Sequence, residues 1–161
     1  MNGVAVVLSM GVTDGLIALA AALLVATVLG VAMRRRAGQF RAASPATRAK
    51  TAGALTEADL GAGLGRQATL VQFSTAFCAP CRPTRQILAQ VADMVDGVTH
   101  VEIDAAARMD LVQRLRINST PTVLVLDPDG AIVKRATGLP RKADVIAALG
   151  TVAQAEDRSR K

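Results

Sequence analysis

The apolar residues fall into two regimes. From Gly15 to Met33 the chain reads GLIALAAALLVATVLGVAM without a charged side chain. At helical rise, that length is close to the hydrocarbon thickness of a bilayer, so the pattern predicts a membrane-spanning helix over about residues 12–33. Beyond residue 54 the apolar positions become periodic. Leu55 to Leu64, with Glu57 and Asp59 in its first turn, predicts a short amphipathic helix, and TLVQFS at Thr69 to Ser74 predicts a buried strand. FCAPCRPTRQILAQVADMV follows as a helix with Ile87, Leu88, Val91, Met94 and Val95 on one face. VTHVEID at Val98 to Asp104 alternates as a strand, Ala106 to Arg116 is helical in pattern, and TVLVL at Thr122 to Leu126 is a second buried strand. The DPDG turn at Asp127 to Gly130 predicts a hairpin to a strand over Ala131 to Ala136, and a last helix is expected from near Pro140 to Ala153. The order is helix, strand, helix, strand, helix, strand, strand, helix: an α/β domain with a four-stranded mixed sheet flanked by helices, preceded by one transmembrane helix.

The boundaries follow from these patterns. Residues 1–33 form the N-terminal segment, 34–53 a basic juxtamembrane linker containing Pro45 and no sustained apolar period, 54–155 the folded domain, and 156–161 a frayed, charged tail. The chain has neither Trp nor Tyr, so aliphatic burial must hold the core, with Phe73 and Phe77 as its expected aromatic contributions.

The formal net charge of +6 raises nucleic-acid binding as a possibility, but its distribution removes it. Arg34, Arg35, Arg36, Arg41, Arg48 and Lys50 lie in one stretch without an acidic residue, and without those six the chain is charge-balanced. A basic cluster beside an apolar run, with no interleaved aromatics, fits anionic lipid headgroups rather than stacked bases. A cleaved signal peptide is the competing reading of the apolar run. No Lys or Arg precedes the run, however, and Arg34 to Arg36 follow it directly, so a retained anchor is expected. The same asymmetry places the N-terminus outside and the domain in the cytoplasm.

The candidate chemistry lies in Cys78-Ala79-Pro80-Cys81. Two cysteines at this spacing at a strand-to-helix junction put both sulfurs on the first helical turn, where unpaired N–H groups and the positive dipole end stabilise a thiolate. Cys78 is expected to be the nucleophile that attacks a substrate disulfide, and Cys81 to resolve the mixed disulfide. Half of a zinc site is a competing reading, but there is no third cysteine and His100 is the only histidine, so no metal is expected. A purely structural disulfide across so short a loop would stabilise little.

Four separated features resemble the thioredoxin family over roughly residues 55 to 152: the FCAPC at Phe77 to Cys81, the strand before it, the STPT at Ser119 to Thr122, and Gly138 after the last hairpin. The family's first strand is not evident. The resemblance implies a cis peptide bond at Thr120-Pro121, with the backbone of Thr120 docking an extended peptide beside Cys78. Phe77 stands in the place of the family's tryptophan, preserving an apolar cover but losing the indole donor. Gln72 stands where the family carries a buried aspartate, so a carboxylate proton relay is not available there. His100 falls near the position of a lysine associated with that aspartate, and minor roles are assigned to both Gln72 and His100. Pro83 lies in the second turn of the active-site helix as read from sequence and should kink it or cost a hydrogen bond.

The expected activity is therefore thiol-disulfide exchange, with no cofactor beyond the cysteine pair. It would reduce protein disulfides near the cytoplasmic face with electrons from a dithiol partner, since no nucleotide-binding loop is present. Two alternatives stay open. One is an exported, anchored reductant or oxidant of the kind that prepares apocytochrome c thiols. The other is a thioredoxin-fold scaffold that holds a membrane partner without catalysis.

Overall fold

The structure, a computed structural model, describes residues 3–36, 38–42 and 54–159. It divides into two units, Met1–Arg36 and Ala37–Lys161. In the first unit, α1 (Gly3–Arg36) is one uninterrupted helix. Its stretch Gly15–Ala32 has a mean hydropathy of 2.5 and buries none of its side chains. The helix is long and apolar enough to cross a membrane. Its one polar side chain in that stretch, Thr27, is satisfied within the helix by donating its hydroxyl to the Leu23 carbonyl at 2.7 Å, as hydrocarbon would require.

In the second unit the elements are β1 (Arg41–Ala42), α2 (Glu57–Leu60), β2 (Ala68–Ser74), α3 (Cys81–Met94), β3 (Val98–Asp104), α4 (Met109–Arg114), β4 (Thr122–Leu126), β5 (Ile132–Thr137) and α5 (Lys142–Ser159). The sheet runs β1-β5-β4-β2-β3. Strands β2 and β3 are parallel, and the other pairings are antiparallel. Four strands form the expected mixed sheet. The fifth is the two-residue β1, inside the stretch read as linker, with Arg41 opposite Arg135 and Ala42 opposite Lys134. Most of that stretch, with Pro45, Arg48 and Lys50, lies outside the described residues, as do the last two residues of the expected tail.

Alternation along β2 and β4 divides the core between two faces. Val71, Phe73, Leu124 and Leu126 point to one face with Leu55, Leu60, Ile103, Leu111 and Leu115, covered by α2 and α4. Leu70, Val123 and Val125 point to the other with Leu88, Val91, Val145, Leu149 and Val152 from α3 and α5. Phe73 is completely buried, whereas Phe77 is fully solvent-exposed and covers nothing. The expectation that both would serve the core fails for Phe77 because it stands on a turn past the end of β2.

Three helices begin or end elsewhere than the apolar pattern suggests, each for a local reason. The stretch Leu55 to Leu64 holds only one turn, α2. Thr56 caps it in a reciprocal box with Asp59, and Gly61 in the left-handed region (φ 67°) ends it. Burial works against the Asp59 charge, but the Thr56 N–H and hydroxyl and the Arg114 guanidinium outweigh it and hold the carboxyl below its ordinary range. The helix read from Ala106 starts at Met109, because residues 105–107 turn around Asp104, whose Oδ1 accepts from the Ala106 N–H at 2.9 Å. The last helix starts at Lys142, two residues past Pro140, and runs on to Ser159 through most of the segment expected to fray.

The DPDG turn joins β4 to β5 as its chemistry suggests, with Asp127 Oδ1 accepting from the N–H groups of Asp129 and Ala131. Gly130 there has φ 79°, and its carbonyl accepts from the Leu55 N–H at 2.9 Å. A side chain at residue 130 would run into the Leu55 carbonyl. Gly130→Ala is therefore expected to destabilise the domain by about 1–3 kcal/mol, read as a lower urea midpoint at unchanged slope.

Candidate active site

Strand β2 ends at Ser74, and the chain turns through Thr75, Ala76 and Phe77 before reaching the cysteines. The Cys78 N–H donates to the Thr75 carbonyl at 3.3 Å, and the Cys81 N–H donates to the Cys78 carbonyl at 3.0 Å. Helix α3 begins only at Cys81, with Pro80 as its N-cap (φ −76°, ψ −7°). This corrects the placement of both sulfurs on the first helical turn: Cys78 lies on the tight turn before the helix, and Cys81 is its first residue. The shift also disposes of the cost assigned to Pro83. With the helix starting at Cys81, Pro83 falls in the first turn, where its missing N–H would have had no intrahelical partner. The turn is fastened by Thr84, whose N–H and hydroxyl both meet the Pro80 carbonyl, at 3.2 and 2.8 Å.

The two sulfurs form a disulfide, with Cα atoms 5.3 Å apart. Their surroundings differ. Cys81 is 3% exposed, whereas Cys78 is partly open to solvent, flanked by exposed Ala79 and Pro80 and the fully exposed Phe77. A client can therefore reach one sulfur and not the other.

The Thr120–Pro121 peptide bond is cis, and Pro121 is buried. Thr120 meets the cysteine loop through Thr75: the two hydroxyl oxygens lie 3.2 Å apart, on residues 45 positions apart in sequence. Pro121 in turn accepts from the Gly138 N–H at 2.8 Å. The loop before β4, the start of the turn after β5 and the turn before α3 thus converge at one end of the sheet.

Beneath the pair, fully buried Gln72 donates from Nε2 to the Cys81 carbonyl at 3.0 Å, tying β2 to the start of α3. Its neighbour in register on β3 is Glu102, a residue the sequence pattern does not single out. Glu102 accepts from the Ser74 hydroxyl at 2.6 Å and from Arg85 at 2.8 Å, so strand and helix are joined at that corner by an ion pair. Its only signal in sequence is that it shares a strand face with His100. Thr75 gives no sequence signal, because its role depends on a residue far along the chain.

His100 stands opposite Leu70 and makes no hydrogen bond to either cysteine; its Nε2 is buried without a partner. Burial holds its pKa below the ordinary value, with Glu102 opposing the shift and Arg85 adding to it. Between the folded value and the ordinary one of about 6.5, the unfolded chain binds more protons, so stability falls as pH falls through that window. Urea midpoints are expected to drop between pH 7.5 and 5 in the wild type and to stay flatter in His100→Gln. Asp59 contributes its own loss only in the more acidic carboxylate range. Among the described residues, no three potential metal ligands come together.

A family model described as "Thioredoxin-like domain" matches residues 61–153, more than half of the chain. This chain belongs to the thioredoxin family. A curated thioredoxin of Mycoplasma genitalium is 30% identical over 77 residues, covering 48% of this chain and 74% of the relative. A thioredoxin of Chlamydia muridarum is 31% identical over 77 residues, with the same coverage of each. Among solved structures, the thioredoxin-2 described as a component of malaria parasite protein secretion machinery superposes with a TM-score of 0.51. It is 15% identical and matches 58% of this chain and 90% of that one. At that identity the likeness speaks for the fold alone. Family, fold and the Cys78–Cys81 disulfide together make this thioredoxin-like domain a thiol-disulfide oxidoreductase.

Proposed function

We propose that this thioredoxin-like protein is a membrane-anchored reductase of protein disulfides whose domain faces the cytoplasm. The observation that carries the chemistry is the asymmetry of the pair, an accessible Cys78 sulfur bonded to a buried Cys81 at the first residue of a helix. The reduced Cys78 thiolate attacks a client disulfide, forming a Cys78–client bond and releasing one client sulfur as thiolate. Cys81 then attacks Cys78, closing the Cys78–Cys81 bond and releasing the second client sulfur. A dithiol protein restores the pair, becoming a disulfide itself. Extended client chain would lie along the backbone of Thr120, which the Thr75 contact holds at the cysteine loop, with the exposed ring of Phe77 as an apolar contact.

Anchoring and orientation are supported by the charge-free stretch Gly15–Ala32 followed at once by Arg34, Arg35 and Arg36, which would stay on the cytoplasmic side against anionic lipid. In the cytoplasm, thiol pools hold such a pair reduced, which sets the direction as reduction. Two measurements test the reading. Purified protein should accelerate the dithiothreitol-driven reduction of insulin, and failure to do so would favour a non-catalytic scaffold. In intact cells after mild reduction, a membrane-impermeant thiol reagent should reach Cys78 only after lysis; labelling without lysis would place the domain outside and favour an exported role.

A further inference from the structure

Gln72 carries one amide with two unequal halves. Its Nε2 is bonded to the Cys81 carbonyl, while Oε1, equally buried, has no partner. Buried acceptors are rarely left empty, and one beside a redox centre points to a donor that exists in another state of the protein. In the disulfide form Cys81 has no hydrogen to give. Reduction by a dithiol breaks the S–S bond, delivers two electrons and two protons to the sulfurs, and leaves the dithiol as a disulfide. A thiol hydrogen then appears on Cys81, a residue only 3% exposed and therefore without water to accept it.

We propose that Gln72 is the positioning residue of the resolving cysteine, its Oε1 accepting the S–H of Cys81 in the reduced protein and in the mixed disulfide. This inference rests on the thiol-disulfide exchange described above. The amide keeps the resolving sulfur neutral and in place and cannot itself take the proton. When Cys81 attacks, the Cys78–Cys81 bond forms, the Cys78–client bond breaks, and the proton Cys81 loses is balanced by the one the departing client thiolate takes up. A carboxylate at residue 72 would make resolution depend on its own ionisation; glutamine removes that dependence.

Other charged groups face this region. Glu102 is in register with Gln72 on β3 but engaged by Ser74 and Arg85; His100 lies two residues before it on the same strand; Arg85 comes from α3, and Cys78 from the turn. From β4 the register partner is Val123, and the buried residues of α5 on this face are Val145, Ala148, Leu149 and Val152.

The test is the titration of Cys81 in the reduced full-length protein in detergent, followed by NMR of cysteine labelled with carbon-13. In the wild type Cys81 should show one inflection, above the free-thiol value of about 8.5. Gln72→Glu keeps a donor and an acceptor while protonated. As it ionises, the Cys81 signal should gain a second inflection and its thiol titration should rise by about one pH unit or more. Gln72→Met, which lacks the acceptor, should move the Cys81 titration downward. A Cys81 curve identical in wild type and Gln72→Glu would overturn the proposal even if Gln72→Met failed to fold. So would a curve that responds to Glu102→Gln and not to Gln72→Glu. The thiol is read without a client, so failure to reduce insulin would sink the reductase reading and leave this result standing.

Discussion

Replacing Cys78 with Ser is expected to abolish turnover, cutting insulin reduction at least about a thousandfold, because a serine hydroxyl neither ionises near neutral pH nor attacks sulfur. Cys81→Ser should lose multiple turnover just as completely while behaving differently toward clients. With Cys78 accessible and no second sulfur to release it, covalent adducts should accumulate to about one per protein. In Cys78→Ser no such adducts should form, since the remaining sulfur is 3% exposed. Non-reducing electrophoresis separates the two outcomes. Adducts through Cys81 in the Cys78→Ser protein would reverse the assignment of roles.

The largest stability effect is expected at Phe73. Its ring is fully buried at the centre of β2, with Ile103 in register on one side and Thr122 on the other, among leucines from α2, α4 and β4. Phe73→Ala removes that contact area and leaves a cavity in a sheet face that cannot collapse around it. The cost should be about 3–5 kcal/mol, against a total of about 5–15 kcal/mol for an ordinary domain. Urea unfolding would show it as a large fall in midpoint. Phe77→Ala should change stability by less than about 0.5 kcal/mol, since the ring is fully exposed, and should instead weaken adduct formation by Cys81→Ser. Equal destabilisation by the two substitutions would contradict the placement of Phe77 outside the core.

The contrast between the two phenylalanines shows where local pattern stops being informative. Period-two alternation places Phe73 inward because a strand has only two faces. Phe77 stands four residues further on, beyond the end of the strand, where the period no longer applies. The start of α3 follows the same logic. Apolar spacing locates the face of that helix at Leu88 and Val91 but says little about its first turn. That turn is decided by hydrogen bonds from the Cys78 and Cys81 N–H groups to Thr75 and Cys78. The two-residue β1 has no apolar period to announce it, since a strand that short exists only because β5 offers it an open edge.

What the linear chain determined by itself is the α/β class, the four main strands, the charge-free helix and the cysteine pair, because each rests on spacing within a dozen or so residues. What only the tertiary structure decided is how distant residues complete the site. Thr75 meets Thr120 across 45 positions, Gln72 meets the carbonyl of Cys81, and Glu102 meets Arg85 and Ser74. The parallel pairing of β2 with β3 and the packing of α3 across them create those contacts. The difference between an open Cys78 and a buried Cys81 arises in the same way: three residues apart in sequence, they are set apart by the fold, which covers one sulfur and leaves the other at the surface.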